Sequence, residues 1–324
     1  MLLIANHEGR SGTEYAANLL KQKENGLRAI IEGIKIVEAN QDIHTVGMSA
    51  WPNLLGELQL DASVMDGNTR RTGAVGALRG FLHPVEIAYR VMQDIAHEIL
   101  VGEGAERFAC EIGAIANKNE TEISIAGWQN FLKTSLTEEQ KQKFPNIRLL
   151  DIKSNAIDPE KISKEALWDK ITSDEYAKPF DTTVYLSIDH EARISSATST
   201  SGWAWKYPGR LGDSPIIGAG SYADSRYGAC ACTHTGEMTI RAGTARSVVL
   251  YLKMGLSLAD AVYEAAKDLA DLRTGYVDEV TIHAVDKHGN YKVVGVNSAE
   301  EIKYVVWQPG MDKPEIKNAE ILQL

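Results

Sequence analysis

The apolar positions change period several times along the chain, and each change predicts a different element. Met1-Leu-Leu-Ile-Ala-Asn6 is apolar over five residues and predicts a first strand. From Gly12 to about Asn40, Tyr15, Leu19, Leu20, Leu27, Ile30, Ile31, Ile34, Ile36 and Val37 recur at helical spacing and predict one or two amphipathic helices. Two alternating stretches, Leu58 to Met65 and Arg71 to Leu78, are joined by Asp66-Gly67-Asn68 and predict a hairpin. After Pro84 a long helix carries Ile87, Ala88, Val91, Met92, Ile95 and Ile99 on one side, and a further helical stretch holds Phe108, Ala109, Ile112 and Ile115.

Between about 117 and 179 the chain turns rich in Lys, Glu, Asp, Ser and Asn and reads as a mobile connector. Beyond it the period becomes two. Val184, Leu186 and Ile188 alternate with Tyr185, Ser187 and Asp189, and a second strand runs from about Arg193 to Ser199. Helices are predicted from about Glu237 to Met254 and from Ser257 to Leu272, with Ser257 as N-cap. Two last strands, Val280 to Val285 and Tyr291 to Val296, flank Lys287-His288-Gly289-Asn290. The order predicts an α+β fold with antiparallel sheets inside and helices on both outer faces. We expect one domain over 1–324, with halves 1–181 and 182–324 that the connector divides.

At 44% hydrophobic and 24% charged residues the chain has the composition of a folded globular protein. A formal net charge of −10 argues against nucleic acid or anionic lipid as a partner, because counterion release needs clustered Lys and Arg. A small molecule is the expected partner. The short apolar start has neither the basic leader nor the length of a signal peptide, and no window approaches a membrane span, so a cytoplasmic location is expected. Three cysteines, with Cys230 and Cys232 two apart, fit neither a disulfide framework nor a zinc site and are read as core residues. The eight histidines lack H-E-x-x-H spacing, and there is no P-loop, G-x-S-x-G elbow or complete dinucleotide fingerprint. Neither a metal nor another cofactor is expected.

The densest cluster of special residues is Pro208-Gly-Arg-Leu-Gly-Asp-Ser-Pro-Ile-Ile-Gly-Ala-Gly-Ser-Tyr-Ala-Asp224, with four glycines and two prolines in seventeen residues. Such a run marks a fixed, closely approached loop. Arg210 and Asp213 lie within it. A guanidinium grips a carboxylate bidentately and a carboxylate takes an ammonium, so the two suit a free amino acid. On spacing alone an ion pair in a surface turn is the commoner meaning of such a pair. Upstream, Asp181-Thr182-Thr183 stands where the connector gives way to a strand. Thr182 is there either as a β-former or, if the bond before it breaks, as a nucleophile whose own α-amine, with a pKa of roughly 8, serves as base. Two hydroxyl clusters, Thr198-Ser199-Thr200 and Thr233-His234-Thr235-Gly236-Glu237, fit cross-strand pairing or support of a nucleophile and an oxyanion.

Taken in order, these motifs resemble the glycosylasparaginases, a branch of the N-terminal-nucleophile asparaginases that includes isoaspartyl peptidases. The likeness rests on the Asp-Thr start, Thr-Ser-Thr, Gly-Arg-x-Gly-Asp-Ser-Pro-Ile-x-Gly-Ala-Gly and a Thr-x-x-Gly-Glu turn. Leu60-Asp-Ala-Ser-Val-Met-Asp-Gly67 and Gly73-Ala-Val-Gly-Ala-Leu78 are similar to that family's N-terminal hairpin. The resemblance implies a four-layer α/β/β/α sandwich, self-cleavage between Asp181 and Thr182, and a homodimer of processed units. It implies Thr182 as nucleophile, Thr200 as its assistant, Thr233 in the oxyanion hole, and Arg210, Asp213, His234 and Gly236 around an amino-acid-like substrate. The activity implied is cleavage of the β-amide of N4-glycosylasparagine, asparagine or β-aspartyl compounds; the alternative is an unprocessed relative that only binds such ligands. The chain departs from the pattern at Phe180, at Val184, at His234 where a glycine is usual, and at Asn6-His7-Glu8, where glycan-specific members carry a tryptophan.

Overall fold

The protein is described by a computed structural model over residues 1–152 and 182–324. Asp181, and with it the residue preceding the proposed cleavage point, lies outside the described residues, as does the connector from 153 onward. The predicted strands form at β1 (Leu2–Asn6), β2 (Leu60–Asp66), β3 (Arg71–Leu78), β5 (Thr183–Ile188), β6 (Ile194–Thr200), β9 (Val280–Asp286) and β10 (Tyr291–Val296), and the 228–234 stretch carrying Cys230 and Cys232 forms β8 (Gly228–His234). Six helices match the predicted ones: α1 (Arg10–Lys21), α2 (Gly26–Glu38), α3 (Pro84–Asp94), α4 (Gly102–Glu111), α8 (Thr244–Lys253) and α9 (Leu258–Ala270). Ser257 caps α9 by accepting the Asp260 N–H at 3.2 Å.

Several elements depart from expectation. The helix after Pro84 stops at Asp94, and Ile99 instead begins β4 (Ile99–Val101), which pairs in parallel with β3. The helix lies so close on β3 that a Cβ on Gly73 would stand 2.1 Å from the Ala88 carbonyl, and the chain beyond it extends the sheet edge. The stretch from 237 to 254 is two helices, α7 (Gly236–Ala242) and α8, because Gly243 turns left-handed at φ +61°. Within the polar stretch stand α5 (Glu122–Ser135) and α6 (Glu138–Lys143), each opened by a capping box, Thr121 with Ser124 and Thr137 with Gln140. Cys110 is exposed, whereas Cys230 and Cys232 are buried. Short strands β7 (Ser221–Asp224), β11 (Lys303–Trp307), β12 (Glu315–Asn318) and β13 (Glu320–Leu322) complete the set.

Among the described residues the strands form one sheet in the order β12-β11-β1-β5-β6-β2-β3-β4 and a second in the order β13-β10-β9-β8-β7. Three apolar clusters say how they pack. One joins α1, α2 and α3 to Leu3, Ala5, Ala62, Val64, Tyr185 and Ala197 of the first sheet. Another joins α8 and α9 to Cys230, Cys232, Ile282 and Val294 of the second. The third lies between the sheets, with Leu2, Ile4, Met65, Val184, Leu186 and Ile194 facing Ala229, Ala231 and Val285. The central strands are therefore buried on both faces, and every residue of β5 and β6 is out of solvent. Among the described residues no helix is long and apolar enough to cross a membrane.

This arrangement sets which residues can meet. In a strand, residues two apart share a face. With Leu2, Ile4, Val184, Ala229, Ala231 and Val285 pointing into the space between the sheets, Asn6, Thr182, Thr200, Asp61, Thr233, Thr281 and His283 fall on that same side by register.

The first face of the stack depends on two glycines. A Cβ on Gly12 would sit 1.9 Å from the Gly33 carbonyl, and one on Gly33 would sit 2.7 Å from the Tyr185 ring, so α1 and α2 touch backbone to backbone over Tyr185. In an exposed helix Gly→Ala stabilises by roughly 1 kcal/mol. Here overpacking reverses the sign. Gly12→Ala is expected to destabilise by about 2 kcal/mol, read as a lower urea midpoint.

Candidate active site

Thr182 immediately precedes β5 and is buried, 7% exposed. It is held from β1. The Asn6 side-chain amide donates to the Thr182 carbonyl, and its Oδ1 accepts the Val184 N–H at 3.1 Å. Asn6 thus extends the β1–β5 ladder with its side chain just as the backbone leaves the sheet into the turn His7–Gly9. On the other side β6 runs antiparallel with Thr183 opposite Ser199, so one further step puts Thr200 opposite Thr182. Asp61 of β2 lies opposite Thr200 in turn. Directly opposed residues of an antiparallel pair share a face, which places these three side chains in a row across three strands.

The hydroxyls of β6 tie the surrounding loops to this row. Thr200 Oγ1 accepts the Gly202 N–H at 2.9 Å, and Ser201 donates N–H and Oγ–H to the Thr45 carbonyl, both at 2.9 Å. Ser199 donates to the fully buried Glu38 carboxylate at 2.7 Å, which also accepts the Val85 N–H at 3.0 Å. Thr198 and Ser63 both donate to the Ser214 carbonyl, at 2.8 and 2.6 Å, and so fix the loop next to Asp213.

Arg210 and Asp213 do not bond each other, which disposes of a simple turn ion pair. Arg210 gives Nε and Nη2 to the Glu237 carboxylate at 3.1 and 2.8 Å and stacks 4.6 Å over the Trp203 ring. Its remaining Nη1 faces Gly202 and Gly212, where a built Cβ would stand 3.0 Å away in each case. Gly202 adopts φ +75° and leaves the space that brings Arg210 to the Thr200 side of the site. Asp213 is buried and accepts Thr239 Oγ1 at 2.7 Å. Gly236 packs on it, since a Cβ there would lie 2.9 Å from Oδ1. Burial pushes the Asp213 carboxyl up to about 6, against the pull of the Thr239 hydroxyl and of Arg210.

Thr233 and His234 end β8. His234 Nδ1 lies 3.0 Å from Thr233 Oγ1 and 3.2 Å from Thr281 Oγ1, with its backbone at φ +79°, a region that disfavours any side chain. Thr233 faces between the sheets as Thr182 and Thr200 do, and it lines a cavity of about 180 Å³ with His234 and Asn6, the residue that clamps Thr182.

Four neighbours were not picked out from the sequence as site residues. Asn6 was noted only for a missing tryptophan, and Glu237 only as part of a turn. Lys206 and Asp61 form a buried pair, 3.6 Å apart, with Lys206 Nζ also donating to the Gln59 carbonyl at 3.1 Å. Burial lowers the Lys206 pKa, Asp61 opposes that shift, and Arg210 adds to it. Lysine is rarely fully buried without a partner, but only contacts between distant segments reveal such a pair.

The sequence profile of the asparaginase family matches residues 9–312. The chain belongs to this family. It is 32% identical over 313 residues to a Drosophila grimshawi protein named "Putative N(4)-(beta-N-acetylglucosaminyl)-L-asparaginase", covering 91% of this chain and 76% of that one. It is 31% identical to the "Probable isoaspartyl peptidase/L-asparaginase 3" of Arabidopsis thaliana, over 90% of this chain and 83% of that one. With the "Plant-type L-asparaginase" of Pyrococcus abyssi it shares 32% identity, over 91% and 87% of the two chains. The asparaginase-family chain is accordingly a hydrolase of the N-terminal-nucleophile type.

Asp213 makes a stability test possible. Its folded pKa lies above the ordinary value, so the native state binds that proton more tightly than the unfolded chain does. Ionisation therefore takes stability away as pH rises from about 4 through about 6, and the loss is complete above that. Asp213→Asn, which keeps a carbonyl for Thr239, is expected to unfold at higher urea than the parent at pH 8, by up to about 3 kcal/mol. The gap should narrow towards pH 4.

Proposed function

We propose that the protein hydrolyses the side-chain amide of asparagine-like compounds with Thr182 as nucleophile, after the bond between Asp181 and Thr182 is cut. The observation that carries this reading is the placing of Thr182, Thr200 and Thr233 on one face between the sheets, with Arg210 brought to Thr200 through Gly202. A freed α-amine on Thr182 takes the proton of its own hydroxyl, and Thr200, opposite in register, supports that oxygen. Arg210 receives the substrate α-carboxylate through Nη1 while Glu237 holds the other edge of the guanidinium. Asp213, with Thr239 and Gly236 behind it, receives the α-ammonium.

Attack on the β-carbonyl develops an oxyanion, which the Thr233 hydroxyl and the His234 N–H meet. The bond to nitrogen breaks, the amine leaves with a proton, and a β-aspartyl ester remains on Thr182. Water then releases aspartate. The same reading takes the stacked helices and sheets as a four-layer α/β/β/α sandwich, with 1–181 and 182–324 as the two halves of a processed unit. Two such units would pair as a homodimer.

Denaturing electrophoresis tests the cleavage. The purified chain is expected to give bands near 20 and 15 kDa, about 110 Da per residue, and Thr182→Ala a single band of full length. A full-length parent that binds aspartate without turning over asparagine, glycosylasparagine or β-aspartyl dipeptides would leave a binding protein in place of an enzyme. A second measurement concerns pH. Because Asp213 must be ionised to hold the ammonium, kcat/KM should fall roughly tenfold per unit below about pH 6.

A further inference from the structure

The Thr233 hydroxyl that meets the oxyanion has a single hydrogen, and its neighbour decides where that hydrogen points. Among the described residues Thr233 Oγ1 has one hydrogen-bond partner, His234 Nδ1 at 3.0 Å. A hydroxyl donates once and can accept as well, whereas an imidazole nitrogen either carries a hydrogen or accepts one. Two arrangements follow. With Nδ1 bare, the Thr233 hydrogen is drawn to the ring and away from the gap between the sheets. With a hydrogen on Nδ1, the ring donates to Oγ1 and the Thr233 hydrogen is left for another acceptor. An oxygen and a bare nitrogen at that distance with no hydrogen between them would set lone pair against lone pair, so no third arrangement is open.

The surroundings favour the second. Thr281 stands opposite Thr233 across the β8–β9 pair, and its Oγ1 lies 3.2 Å from the same Nδ1. A bare nitrogen offers one lone pair to two hydroxyl hydrogens, whereas one N–H can be shared between two oxygens. At the other end of the ring Nε2 stands 3.9 Å from Glu279, beyond hydrogen-bond distance, so no bond holds the hydrogen there. The backbone adds an independent mark. His234 keeps φ +79° at a cost that a glycine would avoid, and such strain persists where the surroundings over-determine it and where a site uses it.

We propose that the His234 ring is a positioning residue: Nδ1 carries a hydrogen, gives it to Thr233 Oγ1, and so turns the Thr233 hydroxyl towards the developing oxyanion. The inference rests on the hydrolytic reading given above and adds a side chain to its oxyanion site. No bond is made or broken at the ring. It acts through Thr233, whose hydrogen is aimed before the oxyanion forms, and a hydrogen bond donated into Oγ1 polarises the O–H in the same sense.

Nitrogen NMR of the parent protein with isotope-labelled histidine reads the tautomer without any catalysis. The His234 signals, assigned by their loss in His234→Asn, should show a hydrogen on Nδ1, and a bare Nδ1 overturns the proposal. Kinetics, with kcat counted per processed chain, read the consequence. His234→Gly should lower kcat about tenfold and change KM by less than about twofold. His234→Asn, whose amide N–H can stand in for Nδ1–H and which tolerates positive φ, should bring kcat back to within about threefold of the parent. Thr233→Val, which keeps the shape and loses the hydroxyl, should cost about a hundredfold or more. In that background His234→Gly should alter kcat by less than about twofold, because the two residues act as one unit. Equal losses in both backgrounds would mark the ring as structural and overturn the proposal. A hydrogen on Nδ1 in a parent that turns over no amide overturns the hydrolytic reading and this role with it, whereas turnover with Nδ1 bare overturns this role alone.

Discussion

The structure depends on the need of buried hydroxyls for partners. β6 reads Ile-Ser-Ser-Ala-Thr-Ser-Thr and is buried along its whole length, so its side chains must bond within the protein or, as Ser196 Oγ does, forfeit what solvation would have supplied. Three of them bond segments outside the sheet. Thr198 holds the Ser214 carbonyl, Ser199 holds Glu38 and through it the start of α3, and Thr200 takes the Gly202 N–H. Three segments are thereby tied to one central strand: the loop next to Asp213, the end of α2 with the start of α3, and the turn at Gly202 that leads on to Arg210. An apolar β6 would pack equally well and position nothing.

The same burial explains why the site concentrates charge at a cost. Asp213, Lys206 and Asp61 are all out of solvent. Each is made tolerable by a specific neighbour: Thr239 for Asp213, Asp61 for Lys206, and the Ala77 N–H at 2.8 Å for Asp61. Pairing only partly offsets desolvation, as the raised Asp213 and lowered Lys206 pKa values indicate. Sites that hold charges ready for a ligand commonly give up stability in this way.

Much of this was legible in the sequence because it is local. The hairpin at Asp66-Gly67-Asn68, the Ser257 cap and the glycine-rich loop each follow from residues within a few positions of one another. Alternation in β5 was visible too, and the strand is covered by helices on one side and by the second sheet on the other. The break at Gly243 was missed because helical periodicity on both sides masks a single left-handed residue. Asn6 could not be found at all by such reasoning, because its partner Thr182 is 176 residues away and the bond exists only once β1 lies beside β5. Lys206 and Asp61 share that limitation. Their meeting is a property of register, and register is not written in either segment alone.

His234 shows how a departure from pattern becomes intelligible in three dimensions. In a list of motifs it is a substitution for glycine; in the fold it is a side chain carried at φ +79°. Such a backbone costs of order 1 kcal/mol for a residue with a Cβ, so the ring has to be held by something. Thr233 and Thr281 both bond Nδ1, and Glu279 lies 3.9 Å from Nε2. Those contacts fix the imidazole in the wall of the cavity that Thr233 and Asn6 also line. Replacing His234 by glycine would relax the backbone and remove that part of the cavity wall. The strain is thus the counterpart of a fixed position: an imidazole held at the end of the inter-sheet gap, in the cavity wall that it shares with Thr233 and Asn6.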